Sequence, residues 1–304
     1  MKISFSDRFP QDSVRKGNGG RANAAGVSGF TVLELLIAST VILVLAGIGY
    51  SAVKSCIRSA RKTEELAALR RVTQAYLLAT QENGGRFPLG LDQYSNIHDL
   101  DLRLPDDTSL LSKIGGVEIV IRRLPLRLVP YLGWDAEHGF VTWANKATFR
   151  AGVAGVKGSP GYYYGLSISP AFGLNAYCVG GYGGGYLGGG ERVADLAVRP
   201  TEVASPGKLI AFASSNTFYV KPPRMQMTPF DKVNPGWTEQ SDKERPGPED
   251  AARYGNLRFS YDGNALVSFL DGHSEVKSSV ELRDARLWSR AAQAEDDPAR
   301  SVQR

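Results

Sequence analysis

Residues 29–50 read GFTVLELLIASTVILVLAGIGY. Glu34 is the only charged side chain in the 21 residues from Phe30 to Tyr50. A helix rises about 1.5 Å per residue, so this run covers roughly 30 Å, the thickness of a bilayer's hydrocarbon core. A secretory signal peptide has a shorter apolar core, roughly 7–15 residues, followed by a small-residue cleavage site. Here no such site follows. The chain continues as SAVKSCIRSARKTEELAALRRVTQAYLLATQ, itself helical in pattern. The reading is a retained membrane helix over 30–53. A carboxylate inside it costs about 2.5–3.5 kcal/mol on insertion scales. Either Glu34 lies shallow and reaches the headgroups, or something neutralises it. A cut between Gly29 and Phe30 would create an α-amine at the helix start, and a neighbouring copy could pair that cation with Glu34. In low dielectric the attraction is strong.

The net charge of +5 does not mark a nucleic-acid binder. Residues 1–29 hold Lys2, Arg8, Arg15, Lys16 and Arg21 against Asp7 and Asp12. The rest of the chain is nearly balanced, whereas a nucleic-acid binder concentrates positive charge on its folded domain. A basic segment ahead of an apolar run reads as targeting. Lys54, Arg58, Arg61 and Lys62 follow the run, so the positive-inside rule alone does not set its orientation.

Beyond the apolar run, Leu66, Leu69, Val72, Tyr76, Leu77 and Thr80 recur at three- and four-residue spacing. This predicts an amphipathic stem helix over 54–83, with Arg58, Arg61, Glu64, Glu65, Arg70 and Arg71 on the outer surface. Asn83-Gly84-Gly85 supplies the stop. The stem is expected to pack on an antiparallel sheet in a globular head over 84–291.

Within the head, Val117–Ile121 reads as a strand, followed by a proline-broken segment. Residues 158–190 are rich in Gly and Tyr and read as a surface loop. Its GxGxxG at Gly183, Gly185 and Gly188 lacks the strand and helix a phosphate loop needs. A turn at Pro206-Gly207 leads into a buried strand, Lys208–Ala213, and residues 221–250 form a proline-rich excursion. Asp262-Gly263 and Asp271-Gly272 are turn dipeptides between Leu257–Tyr261, Ala265–Leu270 and His273–Lys277, which predicts a three-stranded meander. Ser278 and Glu281 make a capping box for a last helix. Residues 292–304 read as a disordered tail.

Gly29-Phe30-Thr31-Val32-Leu33-Glu34-Leu35-Leu36 resembles the prepilin cleavage and methylation motif of type IV pilins and type II secretion pseudopilins. The resemblance implies cleavage after Gly29 by a prepilin peptidase, methylation of the new N-terminal Phe30, and an assembly role for Glu34. It also implies the pilin-like α+β lollipop, a long helix packed on a sheet head. The leader would then be cytoplasmic, the helix in the bacterial inner membrane and the head periplasmic. Partners would be the peptidase, membrane lipid and other pilin-like subunits, with no nucleic acid expected. The stretch Ala265–His273, ALVSFLDGH, is similar to the C-terminal signature of a pilin-like subgroup common in planctomycetes and verrucomicrobia. In that subgroup a histidine stands ten residues before the Asp-Gly. Here Tyr261 stands there.

Three histidines, His98, His138 and His273, lie outside any HExxH, and no P-loop or GxSxG serine occurs. No enzyme and no cofactor is expected. Cys56 and Cys178 read as unpaired thiols. Asp262 and Asp271 are lesser calcium candidates, because a hard cation takes six or more oxygens. Two alternatives remain. One is a monomeric membrane-anchored envelope module that binds glycans or peptides through Tyr162, Tyr163, Tyr164, Tyr177, Tyr182 and Tyr186. The other is a secreted enzyme, which requires a cleavage site after the apolar run.

Overall fold

A computed structural model describes residues 30–153, 156–181, 195–223, 237–238, 243 and 245–302. The leader 1–29 with Gly29, the glycines at 183, 185 and 188, Tyr182, Tyr186 and most of the proline-rich excursion lie outside the described residues. The chain divides into two compact units, Met1–Lys54 and Ser55–Arg304.

One helix, α1, runs from Val32 to Glu82. In the first unit its sequence is mostly Leu, Ile, Val and Ala, with no proline. The few hydroxyls are turned inward onto the helix. Ser39 donates to the Leu36 carbonyl at 2.9 Å, Thr40 to the same carbonyl at 2.7 Å, and Ser51 to Gly47 at 3.2 Å. Such back-bonding removes free polar groups from an apolar surface.

In the second unit α1 becomes one-sided. Leu69, Val72, Tyr76 and Thr80 of the predicted stripe are buried, joined by Ala68, Thr73, Ala75 and Ala79. Each large apolar side chain removed from water contributes about 1.5–3 kcal/mol. The Tyr76 ring stacks on Phe87 at 5.7 Å and meets Phe212 edge-on at 5.3 Å, while its hydroxyl donates to the Pro88 carbonyl at 3.0 Å. Gly180 closes this seat. At φ +76° a Cβ there would lie 2.4 Å from the Pro88 oxygen and 2.7 Å from the Tyr76 hydroxyl. The predicted stop holds: Gly84 and Gly85 are left-handed, and Gly85 N–H reaches back to the Thr80 carbonyl at 3.0 Å.

Short helices follow: α2 (Ile97–Leu100), α3 (Leu110–Lys113), α4 (Glu118–Arg122), α5 (Leu124–Arg127), α6 (Ala136–Phe140), α7 (Trp143–Val153) and α8 (Pro160–Ile168). The predicted strand Val117–Ile121 is therefore a helix. Left-handed Gly115 and Gly116 break the chain before it, and the adjacent Val120 and Ile121 are both buried while Val117 is exposed, which departs from strand alternation. The Gly/Tyr stretch is likewise no surface loop where it is described. Ser159 caps α8 by accepting the Tyr162 N–H at 3.2 Å, and Pro160 occupies the first turn.

The sheet is antiparallel with order β1-β2-β3-β4: β1 (Phe172–Leu174), β2 (Ile210–Ser214), β3 (Asn264–Phe269) and β4 (Ser274–Ser278). The predicted buried strand at 208–213 is β2, one of the two inner strands. Both faces of the sheet are covered. Leu174, Phe212 and Leu266 join the core that includes α1, whereas Ile210, Ala213, Ala265, Val267 and Phe269 pack with Tyr254, Phe259, Leu282 and Trp288. A register irregularity between Ile210 and Phe212 places Ala211 and Phe212 in the same core.

The meander is two-stranded. Both Asp-Gly turns form: Asp262 and Gly263 are left-handed at φ +52° and +80°, and Gly272 at +93° closes the β3–β4 hairpin. Leu257–Tyr261, however, forms no strand: it has the isolated bridges Ser215–Leu257 and Tyr261–Asn264, and Arg258 exchanges hydrogen bonds with Ser214 of β2 through its N–H at 2.9 Å and its carbonyl at 2.8 Å. Its side chains diverge, Leu257 and Phe259 into the second core and Arg258 toward α1.

Ser278 and Glu281 form the capping box, each backbone N–H bonding the other's side chain at 2.8 and 3.2 Å. It opens a 3-10 turn, Glu281–Arg283, rather than one continuous helix. A second 3-10 turn (Ala285–Leu287) and α9 (Arg290–Glu295) follow. The tail read as disordered is ordered through residue 302. Ala285 N–H bonds the Pro298 carbonyl at 3.0 Å, Arg300 reaches buried Asp195 at 3.3 Å, and Val302 is 1% exposed.

Candidate functional site: the two carboxylates of the long helix

Every residue from Phe30 to Lys54 is exposed. The apolar window of α1 has a mean hydropathy of 2.4 with none of it buried by the chain itself. Phe30, Val32 and Leu43 are 82%, 84% and 71% exposed. The helix is long and apolar enough to cross a bilayer once.

At its start Glu34 has a local partner that the sequence reading did not weigh. Thr31 is the N-terminal cap. Its hydroxyl accepts the Glu34 N–H at 3.2 Å, and Glu34 Oε2 accepts both the Thr31 N–H and the Thr31 hydroxyl at 2.9 Å. This is a reciprocal capping box, which satisfies two N–H groups that the helix leaves open. The signal was in plain view as Thr-x-x-Glu. Oε1 takes no hydrogen bond among the described residues, so one oxygen of the carboxylate remains available at the positive end of the helix dipole.

Thirty-one residues on, Glu65 has the opposite surroundings. It was expected on the outer surface and is instead 0% exposed. Thr142 donates a hydroxyl to Oε1, Tyr261 donates its phenol to Oε2 at 2.8 Å, and the Arg258 guanidinium lies 3.5 Å from Oε1. Arg258, 2% exposed, also donates to the Ser215 carbonyl at 2.9 Å and to Ser260 at 3.2 Å. Trp143 Nε1 donates to the Tyr261 hydroxyl at 3.1 Å, and the Arg61 guanidinium stands 4.4 Å over the Trp143 ring. A buried charge pair is tolerated when its remaining donors and acceptors are met, as they are here. Burial raises the Tyr261 phenol above its ordinary value, and the Glu65 charge adds to that. Burial pulls the Arg258 guanidinium down, against the opposing pull of Glu65. The phenol thus stays protonated and donates. Tyr261 links the cluster, donating to Glu65 and accepting from Trp143.

The spacing carried a sign of this as well. Glu65 precedes Leu69, Val72 and Tyr76 on the same stripe, so helical geometry alone puts it on the inner face. Its partner, 193 residues away, could not be foreseen. Further ties join the same part of α1 to the sheet: Thr73 and Ser268 hydroxyls meet at 2.5 Å, and Arg70 Nε donates to Ser274 at 2.7 Å.

The calcium candidates do not converge. Asp262 pairs with Arg58 at 2.8 Å, while Asp271 accepts the His273 N–H at 3.0 Å and faces His273 Nδ1 at 2.6 Å. Among the described residues no three His, Cys, Asp or Glu side chains gather into a metal site. Cys56 is exposed and Cys178 buried, both free thiols. Of the tyrosines offered as a ligand platform, Tyr162 and Tyr177 are core residues and Tyr164 is exposed. Family models, curated proteins and solved structures yielded no match to this chain.

Proposed function

We propose that this chain is a structural subunit of a pilin-like filament, a type II secretion pseudopilus or a type IV pilus. It is stored in the bacterial inner membrane with its head in the periplasm and processed by prepilin peptidase after Gly29. The observation that carries the reading is the state of α1 from Phe30 to Lys54: apolar, exposed on all sides, and begun by a carboxylate with one oxygen uncommitted. In a bilayer, lipid covers such a surface. In a filament, copies of the same helix cover it. The free α-amine of a processed Phe30 would then sit against Glu34 Oε1 of a neighbouring copy, in surroundings where a paired charge is stabilised and a lone one is not.

Co-expression with a prepilin peptidase, followed by N-terminal sequencing of the membrane form, tests the processing step. The expected start is methylated Phe30, and an intact Met1 counts against the proposal. In the membrane, chemical crosslinking should give a ladder of oligomers. Glu34→Ala should still insert and be cut but should lose the ladder. Normal oligomers from that variant would remove the pairing role. A lone monomer from the unaltered chain would favour an anchored binding module instead.

A further inference from the structure

An open cavity of about 600 Å³ lies in the head beside the end of α1, and the proposed assembly makes no use of it. Its walls are largely apolar. Phe87, Leu124 and Leu128 are buried there, and Leu89, Leu100 and Leu102 are half-buried. Arg127 of α5 also lines the cavity, with 13% of its side chain exposed. Its Nη2 donates to the Leu89 carbonyl, but its buried Nε has no hydrogen-bond partner. Nη1 stands 3.9 Å from Asp92 Oδ2, too far for a hydrogen bond. Asp92 is committed elsewhere: its carboxylate accepts the Tyr94 and Ser95 N–H groups at 3.1 and 2.9 Å and the Ser95 hydroxyl at 2.7 Å. Burial pushes the Arg127 guanidinium down to about 10, against the pulls of Asp92 and Tyr76, so it stays charged at neutral pH. Arg86 and Asp99 line the cavity from exposed positions, and neither forms an ion pair among the described residues.

We infer that this cavity binds an organic monoanion, a carboxylate carried on an apolar body, with the carboxylate on Arg127. Small-molecule sites are concave and mostly apolar, with a few placed polar groups that fix the ligand's orientation. A buried donor left unmet is destabilising, and a carboxylate meets an arginine with charge-assisted hydrogen bonds. Water alone fits less well, because a buried water takes about three polar partners and these walls are chiefly leucine and phenylalanine. Asp92 selects a single negative charge. It already offsets part of the arginine's charge, so a doubly charged phosphate meets more repulsion there than a carboxylate does. The lining residues all belong to the second unit, so the inference is independent of membrane insertion and of filament assembly.

The test titrates the purified full chain, in a nonionic detergent, with phenylacetate and follows the ligand by saturation-transfer NMR. Empty micelles give the blank. A ligand this small should bind in the millimolar range or tighter. Its uncharged match, phenylacetamide, should bind about tenfold more weakly or worse, the factor that a hydrogen bond to a charged group carries. Inorganic phosphate should not displace the acid. Free acids and the C-terminal end of a peptide share this chemistry, so acetyl-glycyl-phenylalanine is titrated beside its amide. Either acid supports the inference, and the tighter of the two names the source. Arg127→Gln should weaken binding about tenfold or more. Because that side chain is buried, circular dichroism must first show that the variant folds. Leu100→Trp, at a half-buried wall position, fills the cavity, leaves the guanidinium in place and should abolish binding whether or not Arg127→Gln folds. No binding by either acid means that the cavity holds only water and overturns the inference. So does an amide that binds as well as its acid, displacement by phosphate, or binding that survives Leu100→Trp or a folded Arg127→Gln.

Discussion

The two ends of α1 put the same side chain to opposite uses. Glu34 lies in a segment that the chain leaves bare, and its bonds reach only three residues back, to Thr31. Glu65 lies where the helix is buried on one side, and its bonds reach 77, 193 and 196 residues along the chain. A carboxylate satisfied locally makes no demand on distant parts of the chain. One satisfied by three distant elements fixes the helix against them. The first half of α1 is left bare by the rest of the described chain, and the second is held against the head by long-range bonds.

The comparison breaks most visibly at Glu65. Glu65→Ala leaves Arg258 charged, buried and unpaired, and the expected loss is about 3–5 kcal/mol. Denaturant unfolding followed by near-UV circular dichroism would measure it. A loss of a few tenths would mean that the pair is not buried in solution. Replacing both partners at once, Glu65→Leu with Arg258→Met, should recover much of that loss, because an apolar pair carries no desolvation penalty.

A smaller change sharpens the role of Tyr261. Tyr261→Phe removes the donor to Glu65 Oε2 and the acceptor for Trp143, and should cost about 1–3 kcal/mol. The Trp143 emission should shift with it. An unaltered stability would show that Thr142 and Arg258 suffice for the carboxylate.

At the other end, Thr31→Ala removes the cap and should cost about 1 kcal/mol of local helix stability. Faster amide exchange confined to the first turn of α1 would register it, with the melting of the head unchanged. If the head melts lower, the independence of the two halves is wrong.

The smallest expected effect tests a cap far from both. Hydrogen bonds from the Ser278 backbone and hydroxyl hold Glu281 below the ordinary 4.5. A carboxylate lowered on folding contributes stability above its unfolded value and loses it as the pH falls through the folded one. Acid titration of the unaltered chain should therefore show a small loss below about pH 4.5, which Glu281→Gln flattens. A titration curve that is the same with and without the carboxylate would remove this contribution.

Much of the architecture follows from local pattern. The apolar run, the stripe through Leu69, Val72 and Tyr76, the stop at Gly84-Gly85, the strand at Ile210–Ser214 and both Asp-Gly turns rest on periodicity or on backbone angles that few residues accept. The failures share a cause. Val117–Ile121 has strand composition, but it follows two left-handed glycines and buries the adjacent Val120 and Ile121 instead of alternating positions. Leu257–Tyr261 has strand composition too, yet it forms only isolated bridges, with the Arg258 side chain turned toward Glu65. The tyrosines at 162 and 177 look like surface until α8 and β1 fold them into the core. The residues after 292 look too polar to be ordered until Asp195 offers Arg300 a buried partner.

By itself, then, the sequence determined one long helix, bare at its start and one-sided later, together with the sharp turns of the head, because these depend on neighbours a few residues apart. Only the tertiary structure decided that Arg258 and Tyr261 are the partners that meet Glu65, and that Arg61 stacks on the Trp143 ring. Such pairings join residues many dozens of positions apart, and their energies exist only once the chain has brought them together.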